Sequence, residues 1–250
     1  MKKIAIFGCG WLGEPLALEL EKTYTVKGSV QSINSYNKLC IQQKYRLNLE
    51  NISSSPSFFD TDVLIIAIPP KNLYKKTISA LLENIQKDTD VILLSSTSIY
   101  TQKNGDITEE DSFDIKDPSL MLEVERVLCK SASNVLILRL GGLMGYDRIA
   151  GKYSASKSIS HDSYTNYVHR DDVIRVIEHL IKLNIKRGIY NVVAPMHRLK
   201  KEIYDQNAKK FGFDKTDFIS KEIRGKKVLS DKLCKRLGYI FLKKDSFNFW

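Results

Sequence analysis

The chain has 250 residues, 43% of them hydrophobic and 27% charged, with a formal net charge of +10. That is the composition of an ordinary globular protein, long enough for one large α/β domain or a domain with a smaller appendage. No apolar run approaches the ~20 residues that cross a bilayer, and Cys9, Cys40, Cys129 and Cys234 form neither a CxxC pair nor a metal-ligand spacing, which excludes a membrane span, a disulfide scaffold and a zinc site.

The opening Met1-Lys2-Lys3 imitates a signal peptide, but Gly8, Gly10, Gly13 and Glu14 interrupt the apolar stretch too early. A cytoplasmic protein with reduced thiols is the expectation. The charge is unevenly spread. From residue 186 onward there are 17 Lys and Arg against 7 Asp and Glu, whereas the first 185 residues hold 22 of each. The basic residues are interleaved with acids and lack the aromatic alternation that stacks bases. A solvated lysine-rich face, or a rim that attracts an anionic small molecule, is expected rather than a nucleic-acid surface.

In chain order, strands are expected near 3–7, 24–30, 44–49, 62–68, 90–95 and 134–140, with helices near 11–22, 72–86 and 118–131. The strands around Val63-Leu64-Ile65-Ile66 and Val91-Ile92-Leu93-Leu94 lack polar alternation, as parallel strands covered on both faces do. A helix near 171–183, a strand at Gly188–Val193 and a helix near 200–211 follow. The pattern is a Rossmann-type doubly wound parallel sheet of the α/β class, with a small C-terminal substrate-side subdomain. Residues 1–150 read as an NAD(P)-binding domain. Residues 151–250 read as a mixed region that partly completes the sheet and partly forms a small cap.

The first strand, Ile4-Ala5-Ile6-Phe7, runs into Gly8-Cys9-Gly10-Trp11-Leu12-Gly13. A lone GxGxxG is weak, but strand, turn and helix here stand in the right order. The first glycine permits the tight turn, the second admits a pyrophosphate, and the third lets helix and strand pack closely. The helix N-terminus then offers N–H groups and partial positive charge to the phosphates. About 20 residues on, NAD sites place an acid against the ribose. The segment Lys27-Gly28-Ser29-Val30-Gln31-Ser32 has neither acid nor arginine. Lys27, Ser29, Gln31 and Ser32 suit a phosphate, so the cofactor is NAD or NADP with a slight lean to NADP. Ala67, Ile68, Pro69 and Pro70 end the fourth strand, where prolines stop the ladder, beside the expected cofactor crevice. Ser95 and Ser96 close the fifth strand and offer hydroxyls to a ligand or to a turn.

These motifs, with Leu138-Arg139-Leu140-Gly141-Gly142-Leu143-Met144-Gly145, Tyr167-Val168-His169-Arg170-Asp171-Asp172-Val173 and Gly225–Tyr239, resemble in their order the extended short-chain dehydrogenase/reductase superfamily of the NAD-dependent epimerase/dehydratase type, in a short atypical branch. The resemblance covers nearly the whole chain. It implies that Gly8, Gly10, Trp11, Leu12, Gly13, Ser29, Gln31, Ala67, Ile68, Pro69, Pro70, Ser95 and Leu140 bind the cofactor and that Ser96 is the catalytic serine. That family's Tyr-x-x-x-Lys pair falls at Asp117 and Met121. An aspartate is ionised at neutral pH and donates protons poorly, and methionine carries no charge. Tyr153-Ser154-Ala155-Ser156-Lys157 fits the spacing but follows the Arg139 strand and reads as a loop.

His169 stands in the Tyr167–Val173 motif, and the sequence leaves it open as a site or core residue. Asp171 and Asp172 read as caps of the following helix, and His161, His179 and His197 read as solvated. Two functions remain. One is an NAD(P)-dependent oxidoreductase or epimerase acting on a small polar, sugar-like or anionic substrate, with Ser96 polarising a carbonyl. The other is a non-catalytic dinucleotide-binding redox sensor or regulatory protein.

Overall fold

The computed structural model describes residues 1–71, 73–101, 104–111, 119–132 and 134–250. In chain order the strands and α-helices are β1 (Lys3–Phe7), α1 (Gly13–Leu20), β2 (Thr25–Val30), α2 (Ile33–Lys38), β3 (Gln43–Arg46), α3 (Pro56–Phe59), β4 (Val63–Ile66), α4 (Tyr74–Asn84), β5 (Asp90–Ser96), β6 (Gly105–Ile107), α5 (Leu120–Ser131), β7 (Asn134–Leu140), β8 (Gly142–Met144), β9 (Ser158–Asp162), β10 (Tyr167–His169), α6 (Arg170–Lys182), β11 (Gly188–Val192), α7 (Lys200–Phe211), β12 (Asp217–Ile223) and β13 (Lys226–Val228).

A seven-stranded sheet runs β11-β7-β5-β4-β1-β2-β3. The pairs β1–β2, β2–β3, β1–β4 and β4–β5 are all parallel. This is the expected Rossmann-type sheet. The chain order reverses at β1, which lies between β2 and β4, so the end of β1 opens at a topological switch point. Ile4, Ile6, Leu64, Ile65, Ile66, Val91 and Leu93 have no exposed surface. At about 1.5–3 kcal/mol for each such side chain, burial on both faces explains why these strands lack alternation.

The chain divides into two compact units, each assembled from three stretches. Unit 1 comprises Met1–Ser95, Ile115–Leu138 and Ile177–Ile189, and unit 2 comprises Ser96–Asp114, Arg139–Val176 and Tyr190–Trp250. In unit 1, α5 starts at Ser119, whose hydroxyl accepts from Leu122 N, and turns Met121, Leu122, Val124, Glu125 and Leu128 inward. Unit 2 carries three short parallel pairs, β8–β10, β9–β12 and β6–β13. Its core gathers Ala150, Tyr167, Ala194, Ile203, Tyr204 and Phe249, with Phe218, Phe247 and Trp250 packed against them.

The short elements α2, α3, β6, β8, β9, β10, β12 and β13 have no counterpart in the sequence reading. Most are too brief to show a period. The strand expected over 44–49 is also shorter. β3 ends at Arg46, and Asn48 folds into a turn in which its Oδ1 accepts from Glu50 N at 3.0 Å and Asn51 N at 3.1 Å. Among the described residues, no helix is long and apolar enough to cross a membrane.

Neither aspartate at the start of α6 acts as the expected cap. Asp172 is fully buried and its carboxylate accepts from Leu242 N at 2.7 Å, Lys243 N at 2.8 Å and the Tyr239 hydroxyl at 2.9 Å. The side chain is spent on fastening residues 239–243. The Asp171 carboxylate instead accepts from the Tyr146 hydroxyl at 2.9 Å. Val168 and Val173 pack as expected, with no exposed surface. Replacing Asp172 by Ala leaves two part-buried amides without an acceptor, so urea unfolding should show a loss of roughly 1–3 kcal/mol, with faster proteolysis after residue 238.

Candidate functional site

In unit 1, the glycine turn between β1 and α1 is held by backbone bonds. Gly10 N donates to Gly8 O at 3.0 Å, Glu14 N to Gly10 O at 3.0 Å, and Cys9 N to Ser29 O at 2.7 Å. Gly8 has φ +110, and a Cβ there would lie 2.6 Å from Ile68 Cγ2. A Cβ on Gly13 would lie 2.1 Å from Gly8 O, a contact that no side chain tolerates. A Cβ on Gly10 would meet nothing within 4 Å. The first and third glycines are therefore demanded by packing, whereas the second faces open space. No side chain caps α1, so its N-terminus opens on the turn with its partial positive charge unopposed by a capping group. Cys9 is buried behind the turn, where burial pushes its thiol up to about 12. It fills space against Gly28, where a Cβ would come 2.5 Å from Cys9 Sγ.

Beside the turn lies a cleft lined by Gly8, Ser29, Gln31, Ile68 and Pro69, all expected cofactor residues. It encloses about 220 Å³. Ala67 supports the turn from below, its carbonyl 3.1 Å from where a Gly8 Cβ would sit. The cleft also takes Leu47, Asn48, Leu49, Lys71, Leu73, Tyr74 and Thr77, which the sequence reading missed. Asn48 and Leu49 had a signal, since they follow the third strand as Gln31 follows the second. Tyr74 and Thr77 had none, because only the packing of α4 brings them there. Open space at Gly10, an uncapped helix N-terminus and a cleft at the switch point fit the phosphates and nucleoside of a dinucleotide.

Other expected residues are engaged elsewhere. Lys27 is buried, and its Nζ donates to Ser57 O at 2.5 Å and Asp60 O at 2.6 Å. That removes it from any phosphate site, because its charge is spent on carbonyls around α3. Ser32 Oγ caps α2 by accepting from Ser35 N at 3.1 Å. Ser95 Oγ is buried and donates to Glu125 Oε1 at 2.5 Å. Asp117 lies outside the described residues. Met121 is only 5% exposed on the inward face of α5, which places an apolar thioether where the resemblance asks for a lysine.

In unit 2, Ser96 begins a single 3₁₀ turn at Thr97–Ile99, its Oγ accepting from Ser98 N at 3.1 Å. Among the described residues its own proton has no acceptor and remains available to donate. Lys226 closes the far side of the turn, donating to Thr97 O at 2.9 Å and Tyr100 O at 2.6 Å. Tyr100 is buried. Its hydroxyl donates to Asn191 Oδ1 at 2.8 Å and accepts from Arg139 Nη1 at 2.8 Å. Burial holds this phenol above the ordinary tyrosine range despite the Arg139 charge, so Tyr100 is part of the scaffold. Leu140 is buried at the end of β7. Tyr153 is 72% exposed in a 3₁₀ turn, and Lys157 Nζ donates to its carbonyl at 2.9 Å. This is a surface loop, as expected.

His169 is a core residue. It is buried, its Nδ1 accepts from Asp171 N at 3.2 Å, and its ring packs 5.5 Å from Tyr146 and 5.5 Å from Phe249. Gly145, at φ +109, is a glycine because a Cβ would lie 2.3 Å from His169 Nε2. His197 is not solvated either. It is half-buried, with Nδ1 at 3.0 Å from Thr165 O.

The fold is that of NAD-dependent epimerase/dehydratases. A solved structure from Methylobacillus flagellatus, assigned as an NAD-dependent epimerase/dehydratase, superposes with a TM-score of 0.78 at 22% identity, over 99% of this chain and 96% of that one. MoeE5 in complex with UDP-glucose and NAD superposes at 0.76 and 16% identity, over 99% and 97%. UDP-glucuronic acid 4-epimerase from Bacillus cereus, in complex with NAD, superposes at 0.74 and 18%, over 99% and 96%. More particularly, the chain is similar to Protein YeeZ of Escherichia coli K12, 29% identical over 261 residues spanning 96% of this chain and 95% of that protein. These likenesses agree with the atypical branch that the motif order resembles. No family model matches the sequence.

Burial holds the His169 and His197 pKa values below the ordinary histidine range. The unfolded chain, with histidines near 6.5, then binds protons before the folded one does, so stability falls as pH drops through about 6.5. Urea midpoints measured from pH 7.5 to 5.0 should decline, and His169→Gln should flatten that decline.

Proposed function

We propose that this chain binds a nicotinamide dinucleotide in the cleft beside Gly8–Gly13 and acts as an oxidoreductase or epimerase on a small polar, sugar-like substrate. The observation that carries the reading is the glycine turn, where Gly8 and Gly13 are sterically required while Gly10 leaves its face open. The turn and the α1 N-terminus would hold the pyrophosphate. Ser29, Gln31, Asn48 and Ile68 would hold the adenosine half.

NAD is favoured over NADP. Lys27 is withdrawn from the end of β2, and the cation among the described cleft residues is Lys71, on the far loop after β4. The solved relatives that carry NAD support the same choice. A bound dinucleotide supplies hydride transfer. Ser96, with its proton free to donate, would polarise a substrate carbonyl. The UDP-glucose bound by MoeE5 makes nucleotide sugars the first substrates to try.

Met121 favours a second reading, a dinucleotide-binding sensor without turnover. A buried thioether neither carries charge nor assists a proton transfer.

Titration with NADH and NADPH, followed by nicotinamide fluorescence, tests the cofactor reading, and binding of neither overturns it. Gly10→Ala should leave the melting temperature unchanged and weaken NADH by about tenfold or more, because the new methyl enters the ligand's space. Gly13→Ala should destabilise the fold by on the order of 1–3 kcal/mol, the cost of overpacking, and abolish binding. If UDP-sugars turn over with NAD, Ser96→Ala should lower kcat by about 10²-fold or more, whereas no turnover across a broad panel selects the sensor.

A further inference from the structure

Tyr74 opens α4 and is 2% exposed. Its hydroxyl has no hydrogen-bond partner among the described residues. A buried donor left unmet is costly, so such a group calls for a partner that the described residues do not supply. Its place in unit 1 narrows what that partner is. Tyr74 lines the same cleft as Gly8, Ile68, Pro69 and Lys71. Leu73, just before it, also lines the cleft, is 56% exposed and holds a left-handed backbone at φ +65. A bulky residue in that region is strained, and such strain gathers at ligand clamps. An exposed, strained leucine and a tyrosine whose buried hydroxyl is unmet thus stand side by side along the cleft.

The polar group on the interior side does not resolve the deficit. Glu125 lies near enough for its carboxyl to add to burial in holding the Tyr74 phenol well above the ordinary range. Its Oε1 accepts from Ser95 Oγ, and it makes no hydrogen bond to Tyr74. The phenol therefore keeps its proton at physiological pH and needs an acceptor. Across the cleft wall, a dinucleotide presents many acceptor oxygens on its riboses and phosphates.

We propose that the Tyr74 hydroxyl donates a hydrogen bond to a ribose or phosphate oxygen of the bound dinucleotide, making Tyr74 a cofactor-binding residue outside the glycine turn. The inference rests on the cofactor reading given above. In the free protein the hydroxyl carries a penalty, and binding removes it. The site is thus poised to gain more from the ligand than an ordinary surface hydroxyl would.

Tyr74→Phe removes the hydroxyl and little else. In the free variant the melting temperature should be unchanged or higher, because an unmet donor has gone. NADH should bind about 3- to 10-fold more weakly, the equivalent of one hydrogen bond. Parallel titrations with AMP and ADP-ribose locate the oxygen. A loss already seen with AMP places it on the adenosine ribose or the first phosphate, and a loss beginning with ADP-ribose places it beyond. Unchanged NADH affinity in Tyr74→Phe overturns the inference while leaving the cofactor reading standing. A lower melting temperature with unchanged affinity does the same and identifies a structural water as the partner. A wild-type chain that binds no NADH overturns both.

Discussion

A methyl group on Gly13 would sit 2.1 Å from the Gly8 carbonyl oxygen, and from that one steric limit the arrangement at the end of β1 follows. Helix α1 can approach the strand only because neither glycine has a side chain. The approach aims the helix N-terminus at the switch point, and it leaves Gly10 facing outward. Gly28 extends the same constraint to β2, where Ile41 and Cys9 press on the empty Cβ position.

A second constraint decides which polar residues are available for chemistry. Buried polar groups must be satisfied, and this chain spends many of its reactive-looking side chains that way. Lys27 binds carbonyls near α3, Asp172 fastens residues 239–243, and Tyr100 is held between Arg139 and Asn191. His169 fills a gap against Gly145. Ser96 differs, since its hydroxyl accepts within its turn and keeps a proton to give. Tyr74 differs in the opposite sense, being buried with nothing among the described residues to receive its proton.

The fold was largely legible from the sequence, because long parallel strands and amphipathic helices carry strong periods. The predicted helices over 72–86, 118–131 and 200–211 differ from α4, α5 and α7 by at most two residues at either end. The three-residue strands β6, β8, β10 and β13 were not legible, since their pairing depends on partners 25 to more than 100 residues away. Of the site, the glycine turn and Ile68-Pro69 were readable as local motifs. The signal at Asn48, its place after the third strand, was masked because that strand was expected to run to residue 49 rather than end at Arg46, and Tyr74 was invisible, because a helix's first residue gains its role from what the helix packs against.

By itself the sequence determined the sheet and the glycine turn, because each is written in residue types at short spacing. Steric exclusion at Gly13 is local, because it comes from the Gly8 carbonyl five residues away, so it can be read without coordinates, whereas that at Gly8 comes from Ile68. Tertiary structure decided which charges are spent and which are free. Lys27 and Gln31 lie only four residues apart at β2, yet of the two only Gln31 reaches the cleft. That choice belongs to the fold, because α3 brings its carbonyls to Lys27 from some 30 residues away. A hydrogen bond made over such a distance leaves no pattern in the chain.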